Sequence, residues 1–484
     1  MLTDKTWLRL FLEGERNKVS RAWLALLIFT LALLILSVWG LKLPGHDSPR
    51  VAGIAREMAV TSNYLIPRLN GENFLEYPPL GYWPIALTLS VSHKPTDFLA
   101  FIPIVFFGTG TVLITYLIVR TLAGERIGLM AGFILATTVG FVTLHRHCLV
   151  DPVLLFFITL SMYGFVGDYR TSRKSFLFSA IFYLAMAGAF LSKGIIGVTI
   201  PAATAVVFLI IQKDLSGIRT LLLSRRILLF LVPIFSWVGI AWWLEGPGIF
   251  MEVIRQSLFR FFSHSADHAK PPHFYLYQTF IHLMPWTLLP LVHGSLLKFA
   301  AIWFAIIFVG LSLSSAKRAL YLGPIYPPFS LMAALGWDLF RERFPKVKRK
   351  EVFALIAFFL VYSGIHLLFI LPPERQASLR PLFEKISRQW AIGSVFLVNP
   401  SETFLGASFF YLGKRMPVLN RHDLLQGQFE ERPETTLVIN SLCVDGQLLS
   451  ILRSKGYHPL SQEKCLTKKV FIYSNSFRVS LNDP

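Results

Sequence analysis

The chain has 484 residues, of which 54% are hydrophobic and 15% charged, with a formal net charge of +19. A soluble protein carries roughly 25% charged residues, and the apolar residues here come in blocks approaching the ~20 needed to cross ~30 Å of hydrocarbon, which excludes an ordinary soluble fold. Most Lys and Arg fall in short segments between those blocks, as expected of a multi-pass membrane protein, which argues against a nucleic-acid-binding surface.

The first apolar block, Trp23–Trp39, follows a charged N-terminus. It has no small-residue cleavage site and many more blocks follow, so it reads as the first span. Basic clusters at Lys5–Arg21, Arg120–Arg126, Arg170–Lys174, Lys213–Arg226 and Arg341–Lys350 mark the cytoplasmic side. The apolar blocks then predict about eleven spans, near 22–42, 98–119, 127–144, 152–168, 176–191, 195–211, 227–244, 279–296, 299–313, 319–337 and 352–371. Leu80–His93 is too short to span easily and reads as a juxtamembrane or re-entrant helix. Counting it as a span, with one more elsewhere, is the alternative. Charge parity places His46–Pro79, His145–Asp151, Ser192–Gly194, Glu245–Gln278 and Ser314–Arg318 on the outer face, with the N-terminus cytoplasmic.

Composition changes near Pro372. Alternation in Ser394–Asn399, Thr435–Asn440 and Lys469–Ser474 predicts strands. Gln447–Lys455, closed by Gly456, predicts a helix. The expected organisation is a transmembrane domain, residues 1–371, followed by a small extracytoplasmic α/β domain, residues 372–484. Cys443 and Cys465 fall in that domain and are read either as a disulfide or as two buried thiols.

The unusual polar residues collect in the outside segments. Asp47 follows the first span and could act as a base toward an acceptor or hold one in place. With Pro49 two residues on, it also suits a helix N-cap. Asp151, before Pro152, has the same two readings. Lys193 lies at a membrane boundary between two apolar blocks, where a cation is costly and points to an anion; snorkelling is the bland reading. Arg255, Arg260, His264, His268, Lys270 and His273 make the fourth outside segment basic against the inside bias. A phosphate-bearing substrate would explain that, and so would contact with anionic lipid heads. Lys317 and Arg318 form a further basic edge with the same two readings.

The first outside segment also carries Ile54-Ala55-Arg56-Glu57-Met58, then Pro67-Arg68-Leu69-Asn70-Gly71, then Glu76-Tyr77-Pro78-Pro79-Leu80-Gly81-Tyr82-Trp83. In that order and spacing it resembles the first outside loop of the aminoarabinose-transferase-like branch of the C-type (GT-C) membrane glycosyltransferases, relatives of the protein O-mannosyltransferases. Asp151, Lys193-Gly194, the His268–Pro271 segment with Met284-Pro285-Trp286, and Ser312–Pro327 fall where that family places its motifs, so the resemblance covers about residues 20–340.

The resemblance implies a GT-C fold of about 11–13 transmembrane helices. It implies transfer of a sugar from a polyprenyl-phosphate donor to a lipid, glycan or protein acceptor on the outer face of the plasma membrane. It makes Asp47 and Asp151 the catalytic carboxylates. Lys193, Arg260, Lys270, Lys317 and Arg318 become candidates for the donor phosphate. Glu76 and His268 match positions that can hold a divalent metal (Zn, Mg or Mn). Two departures stand out: Ser48 replaces a second acidic residue, and Tyr77 replaces a lysine near the donor phosphate. A phenol supplies no positive charge at neutral pH. The competing readings are a protein O-mannosyltransferase-like enzyme and a transporter or flippase of lipid-linked substrate. The latter would be expected to show internal repeats and midplane charges, and the chain shows no repeat.

Overall fold

The computed structural model describes residues 21–93, 95–173, 175–249, 251–252, 255, 270–271, 273–289, 295–314, 317–344, 364, 378–426, 435–440, 444–465 and 468–475. Apolar blocks become helices: Ala22–Val38, Asp97–Ala123, Asp151–Arg170, Phe176–Lys193, Ile196–Ile211, Leu228–Glu245 and Ser295–Leu313. Among the described residues, four helices are long and apolar enough to cross a membrane, and a fifth if the bent pair Glu125–Thr137 and Val139–His145 counts as one. Large apolar side chains point outward from them, including Phe106, Phe176, Phe235 and Trp243. Outward-facing apolar residues on helices of this length fit a lipid surround, not water.

Three predicted spans differ. The block at 127–144 is not one helix: it bends by 60° at Thr138, whose extended backbone interrupts the ladder. The Val139 N–H then donates to the Met284 carbonyl at 3.0 Å, so the break leaves that donor satisfied. The block at 279–296 is broken too, by a helix Phe274–His282 that stops before the Met284-Pro285 step. The block at 319–337 opens as a 3-10 turn, Ala319–Ile325, before helix Tyr326–Arg343. Pro327 and Pro328 fit that switch, because their missing N–H groups fall in the first turn, where no intrahelical partner exists. The predicted span 352–371 lies outside the described residues. Leu80–His93 contains only a short helix, Trp83–Leu89, as its length predicts.

Small residues bring the helices close. A Cβ on Gly164 would lie 2.4 Å from the Phe182 backbone N, and one on Gly197 would lie 2.3 Å from the Ala189 carbonyl. Close backbone approach at small residues is how membrane helices gain packing energy without a hydrophobic driving force.

The C-terminal region forms a five-stranded sheet. Its strands are β3 (Val395–Val398), β4 (Val418–Leu419), β5 (Thr436–Asn440), β6 (His458–Cys465) and β7 (Lys468–Ser474), in spatial order β4-β3-β5-β7-β6; β1 (Arg68–Leu69) and β2 (Glu72–Asn73) make a hairpin in the first outside segment. β3 runs parallel to β4 and β5, while β7 is antiparallel to β5 and β6. Successive β3 residues face opposite sides. Val395 and Leu397 pack with Leu382, Phe383 and Ile386 on one side, and Val398 packs with Leu448, Leu452 and Tyr457 on the other. The predicted strands and the helix Gly446–Ser454, capped by Asp445 through the Leu448 N–H at 2.9 Å, are present. The helix Glu402–Leu412 was not foreseen. Cys443 lies outside the described residues, and with it the Cys443–Cys465 pairing.

Candidate active site

Gly45, at φ +68°, turns the chain into helix Asp47–Thr61, which is buried along most of its length. The helix carries Asp47 and, one turn on, Arg50, a spacing that lets the guanidinium reach back. Arg50 Nη2 lies 3.0 Å from Asp47 Oδ1. Arg318 donates from Nη1 to the other carboxylate oxygen, Asp47 Oδ2. Tyr275 fixes the Arg318 backbone, its hydroxyl donating to the Arg318 carbonyl and accepting from the Arg318 N–H, each at 3.2 Å. Burial alone would raise the Asp47 pKa. Arg50 and Arg318, with Lys193 further off, more than offset it and hold the carboxyl below its ordinary range.

The N-cap reading fails for both aspartates. The cap positions are His46 and Val150, and no side chain caps either helix. Asp151 instead accepts from Lys193 Nζ at 2.6 Å, with both side chains largely buried. The snorkelling reading of Lys193 fails with it. Lys193 Nζ also lies 4.8 Å from the centre of the Tyr321 ring and 5.2 Å from that of Tyr77, within cation–π range. Burial pushes the Tyr77 phenol well above its ordinary pKa, so the side chain is neutral. The residue that departs from the expected lysine therefore presents a π face to a lysine from elsewhere in the chain.

Close approach makes this assembly possible. A Cβ on Gly81 would lie 2.8 Å from Val150 Cβ and 2.9 Å from the Ser192 carbonyl, so only glycine lets the first outside segment pack against the residues beside Asp151 and Lys193. Ser48, the second departure, is fully buried and accepts the Cys148 N–H at 3.1 Å, tying the Asp47 helix to the segment before Asp151.

The structure thus brings Asp47, Asp151, Lys193 and Arg318 into one cluster. Lys317 is buried, and its ammonium donates to the Ser314 carbonyl. Lys270 is exposed, and Arg260 and His268 lie outside the described residues. Glu76 is buried with Oε2 3.3 Å from Arg50 Nη1. Among the described residues no three His, Cys, Asp or Glu side chains converge as a metal site, and His268, the expected partner of Glu76, lies outside them.

Sequence reasoning missed Arg50 as the hub. Its spacing from Asp47 was the available signal. It also missed that the C-terminal region reaches this site. Glu402 Oε2 lies 2.5 Å from Arg50 Nη1. Around it, Tyr411 Oη donates to Asp97 Oδ1 at 2.7 Å and Arg380 pairs with Asp97 at 3.0 Å. Arg415 pairs with Glu57 at 3.0 Å, and Asn70 exchanges hydrogen bonds with the Met416 backbone at 2.9 and 3.0 Å.

Against known proteins, the dolichyl-phosphate-mannose-protein mannosyltransferase family matches residues 19–251. An uncharacterized protein of Aquifex aeolicus is 27% identical over 58% of this chain and 57% of its own length. The undecaprenyl phosphate-alpha-4-amino-4-deoxy-L-arabinose arabinosyl transferase of Shewanella sediminis is 25% identical over 78% of this chain and 72% of its own length. The chain thus spans between 57% and 72% of the length of these two relatives. The crystal structure of ArnT from Cupriavidus metallidurans bound to undecaprenyl phosphate superposes with a TM-score of 0.73 at 16% identity, covering 96% of this chain and 100% of that one. At that identity the likeness establishes a shared fold.

Proposed function

We propose that the chain is a GT-C membrane glycosyltransferase related to the aminoarabinose transferases and protein O-mannosyltransferases, as the matched family and the arabinosyl transferase relatives support, and that it moves a sugar from a polyprenyl-phosphate donor to an acceptor at the outer face of the bacterial inner membrane. The observation that carries this is the Asp47 carboxylate held between Arg50 and Arg318, beside the Asp151–Lys193 pair. Residues 1–371 are the transferase domain, with the N-terminus cytoplasmic. Residues 372–484 are the periplasmic domain.

The reaction is displacement at the anomeric carbon, with a lipid phosphate leaving. Charge grows on that phosphate, and Arg318 and Lys193 are the cations placed to stabilise it. Both are paired with carboxylates in the resting site, so an arriving phosphate competes with Asp47 and Asp151 for them. Arg260, Lys270 and Lys317 would serve the donor from the flanking segments. Asp47, held ionised by two guanidiniums, is a weak base and a strong orienting charge. That suits an acceptor already ionised, such as a lipid A phosphate, better than a neutral hydroxyl that must lose a proton. This favours the aminoarabinose-type acceptor over a protein hydroxyl.

Purified protein incubated with defined polyprenyl-phosphate sugars and lipid A should consume donor and yield glycosylated lipid A by mass spectrometry. Donor left intact with every acceptor would refute the proposal. Cysteine labelling should place positions 47 and 151 on the same, outer side of the bilayer.

A further inference from the structure

Arg50 is the point where two parts of the chain far apart in sequence meet. Its Nη2 faces Asp47 at 3.0 Å, while Nη1 faces both Glu402 at 2.5 Å and buried Glu76 at 3.3 Å. We propose that Glu402 is a positioning residue for sugar transfer, acting from the C-terminal domain to hold the Arg50 guanidinium so that Nη2 stays on Asp47. This rests on the transfer reaction proposed above and gives the C-terminal domain a part in its chemistry.

The backbone fixes Glu402 in place. Helices Asp47–Thr61 and Glu402–Leu412 cross at Gly53 and Gly406. A Cβ on Gly53 would lie 2.3 Å from the Gly406 carbonyl oxygen, and one on Gly406 would lie 2.4 Å from Arg50 Cα. Backbones that close cannot slide past each other. Arg50 lies three residues before Gly53 and Glu402 four before Gly406, so each projects on the face of the crossing, about one turn away. The contacts at Asp97, Glu57 and Asn70 hold the same domain at its flanks. A guanidinium is a rigid planar fork, so anchoring one Nη fixes the direction of the other.

Glu76 reaches the same Nη1 from 3.3 Å, so Glu402, at 2.5 Å, is the closer anchor of that nitrogen. The charged and titratable groups in play are few. Asp47 faces Arg50 and Arg318, with Lys193 beyond; Arg50 faces Asp47, Glu76 and Glu402, with the Tyr77 and Tyr82 phenols nearby. Removing the Glu402 charge frees the fork, so Nη2 leaves Asp47 and the carboxyl holds its proton more tightly.

The test is transfer kinetics against pH for the full-length protein in detergent, with donor affinity measured separately. Glu402→Gln should lower kcat by about tenfold, the scale of a misdirected positioning group. It should leave the donor KM within about twofold and move the acid limb of the kcat profile to higher pH. Glu402→Asp should recover the wild-type limb. Arg421→Gln, in the same domain but out of contact with Arg50, should leave limb and kcat unchanged. Wild-type kcat and limb in Glu402→Gln would overturn the inference. So would the same shift in Arg421→Gln, or a kcat loss that merely tracks a fall in thermal stability. A wild-type protein that transfers no sugar would overturn the proposed reaction and this inference together; wild-type transfer with an inert Glu402→Gln overturns this inference alone.

Discussion

Residues 46–83 and residues 378–475 both bear on Asp47, but they do so by different physics. In the first segment the groups that matter are near neighbours: Asp47 and Arg50 are one helical turn apart, and Glu76-Tyr77-Pro78-Pro79 follows on the same connection. In the second, the fold is a sheet with its own two apolar cores, and its contribution comes from one edge. Glu402, Tyr411, Arg415 and Met416 come from helix Glu402–Leu412 and the turn after it, and they meet Arg50, Asp97, Glu57 and Asn70. The first segment builds the charge; the second fixes where that charge points.

The largest expected effect belongs to the first segment. Asp47→Asn should abolish transfer, by about 1000-fold or more, because the carboxylate that faces both guanidiniums is lost. Donor binding should survive, since Arg318 is freed and the Asp151–Lys193 pair is untouched. Radiolabelled donor retention beside a transfer assay checks both halves, and residual transfer near the wild-type rate would remove Asp47 from the chemistry. The same variant carries a pH signature. The Asp47 pKa is depressed in the folded protein, so its pairing contributes stability that is present above the ordinary aspartate range and is lost as pH falls through the folded value. Thermal melts between pH 6 and about pH 3 should fall less steeply for Asp47→Asn than for the wild type, the difference appearing below about pH 4.

Next in size is the Asp151–Lys193 pair. Lys193→Met leaves the Asp151 carboxylate buried without its ammonium, which costs about 3–5 kcal/mol where a buried pair is broken from one side. The double variant Asp151→Asn with Lys193→Met should recover much of that stability while leaving transfer low, because the cation beside the donor is still missing. Melting temperatures and transfer rates measured on all three separate the structural share from the catalytic one. Recovery of transfer in the double variant would show that Lys193 serves only Asp151.

The domain junction should give an effect of its own. Gly406→Ala puts a methyl group 2.4 Å from Arg50 Cα and 2.6 Å from the Pro49 carbonyl. Both are backbone atoms and cannot swing aside, so overpacking of about 1–3 kcal/mol is expected. Limited proteolysis should then release the C-terminal domain at lower protease concentration, with transfer reduced in parallel. An unchanged digestion pattern would mean that the two segments meet less tightly than the glycine crossing implies.

How much of this was legible in the chain follows the same division. The blocks that became helices, the strands β3, β5 and β7 and the candidates Asp47, Asp151, Lys193 and Arg318 could all be read from local pattern. The bend at Thr138 could not, because the Val139 N–H it frees is satisfied by the Met284 carbonyl, a partner 145 positions away that no periodicity reports. The cap reading of the aspartates was locally sound, since Asp before Pro is a good helix start. It lost to ion pairs with Arg50, Arg318 and Lys193, which in a site shielded from water outbid a cap. Ser48 and Tyr77 looked like losses of charge; each turned out to have a partner, Cys148 in one case and Lys193 in the other. Glu402 was illegible for a plain reason. It is exposed by half, begins an ordinary apolar stretch, and acquires meaning only through a crossing of two glycines 353 residues apart.

The smallest effect tests whether the C-terminal domain matters only at its docked edge. Arg421 pairs with Asp445 at the exposed surface of the same sheet, away from helix Glu402–Leu412. An exposed pair of this kind contributes about 0.2–1 kcal/mol, since water screens it and two long side chains must be held still. Asp445 keeps its cap on Leu448 without Arg421, because that bond comes from a backbone N–H. Arg421→Gln should therefore lower the melting temperature by no more than a degree or two, and leave kcat, the pH profile and protease release as in the wild type. If it slows transfer as Glu402→Gln is expected to, then the domain as a whole carries the effect, and the distinction between its docked edge and its remaining surface collapses.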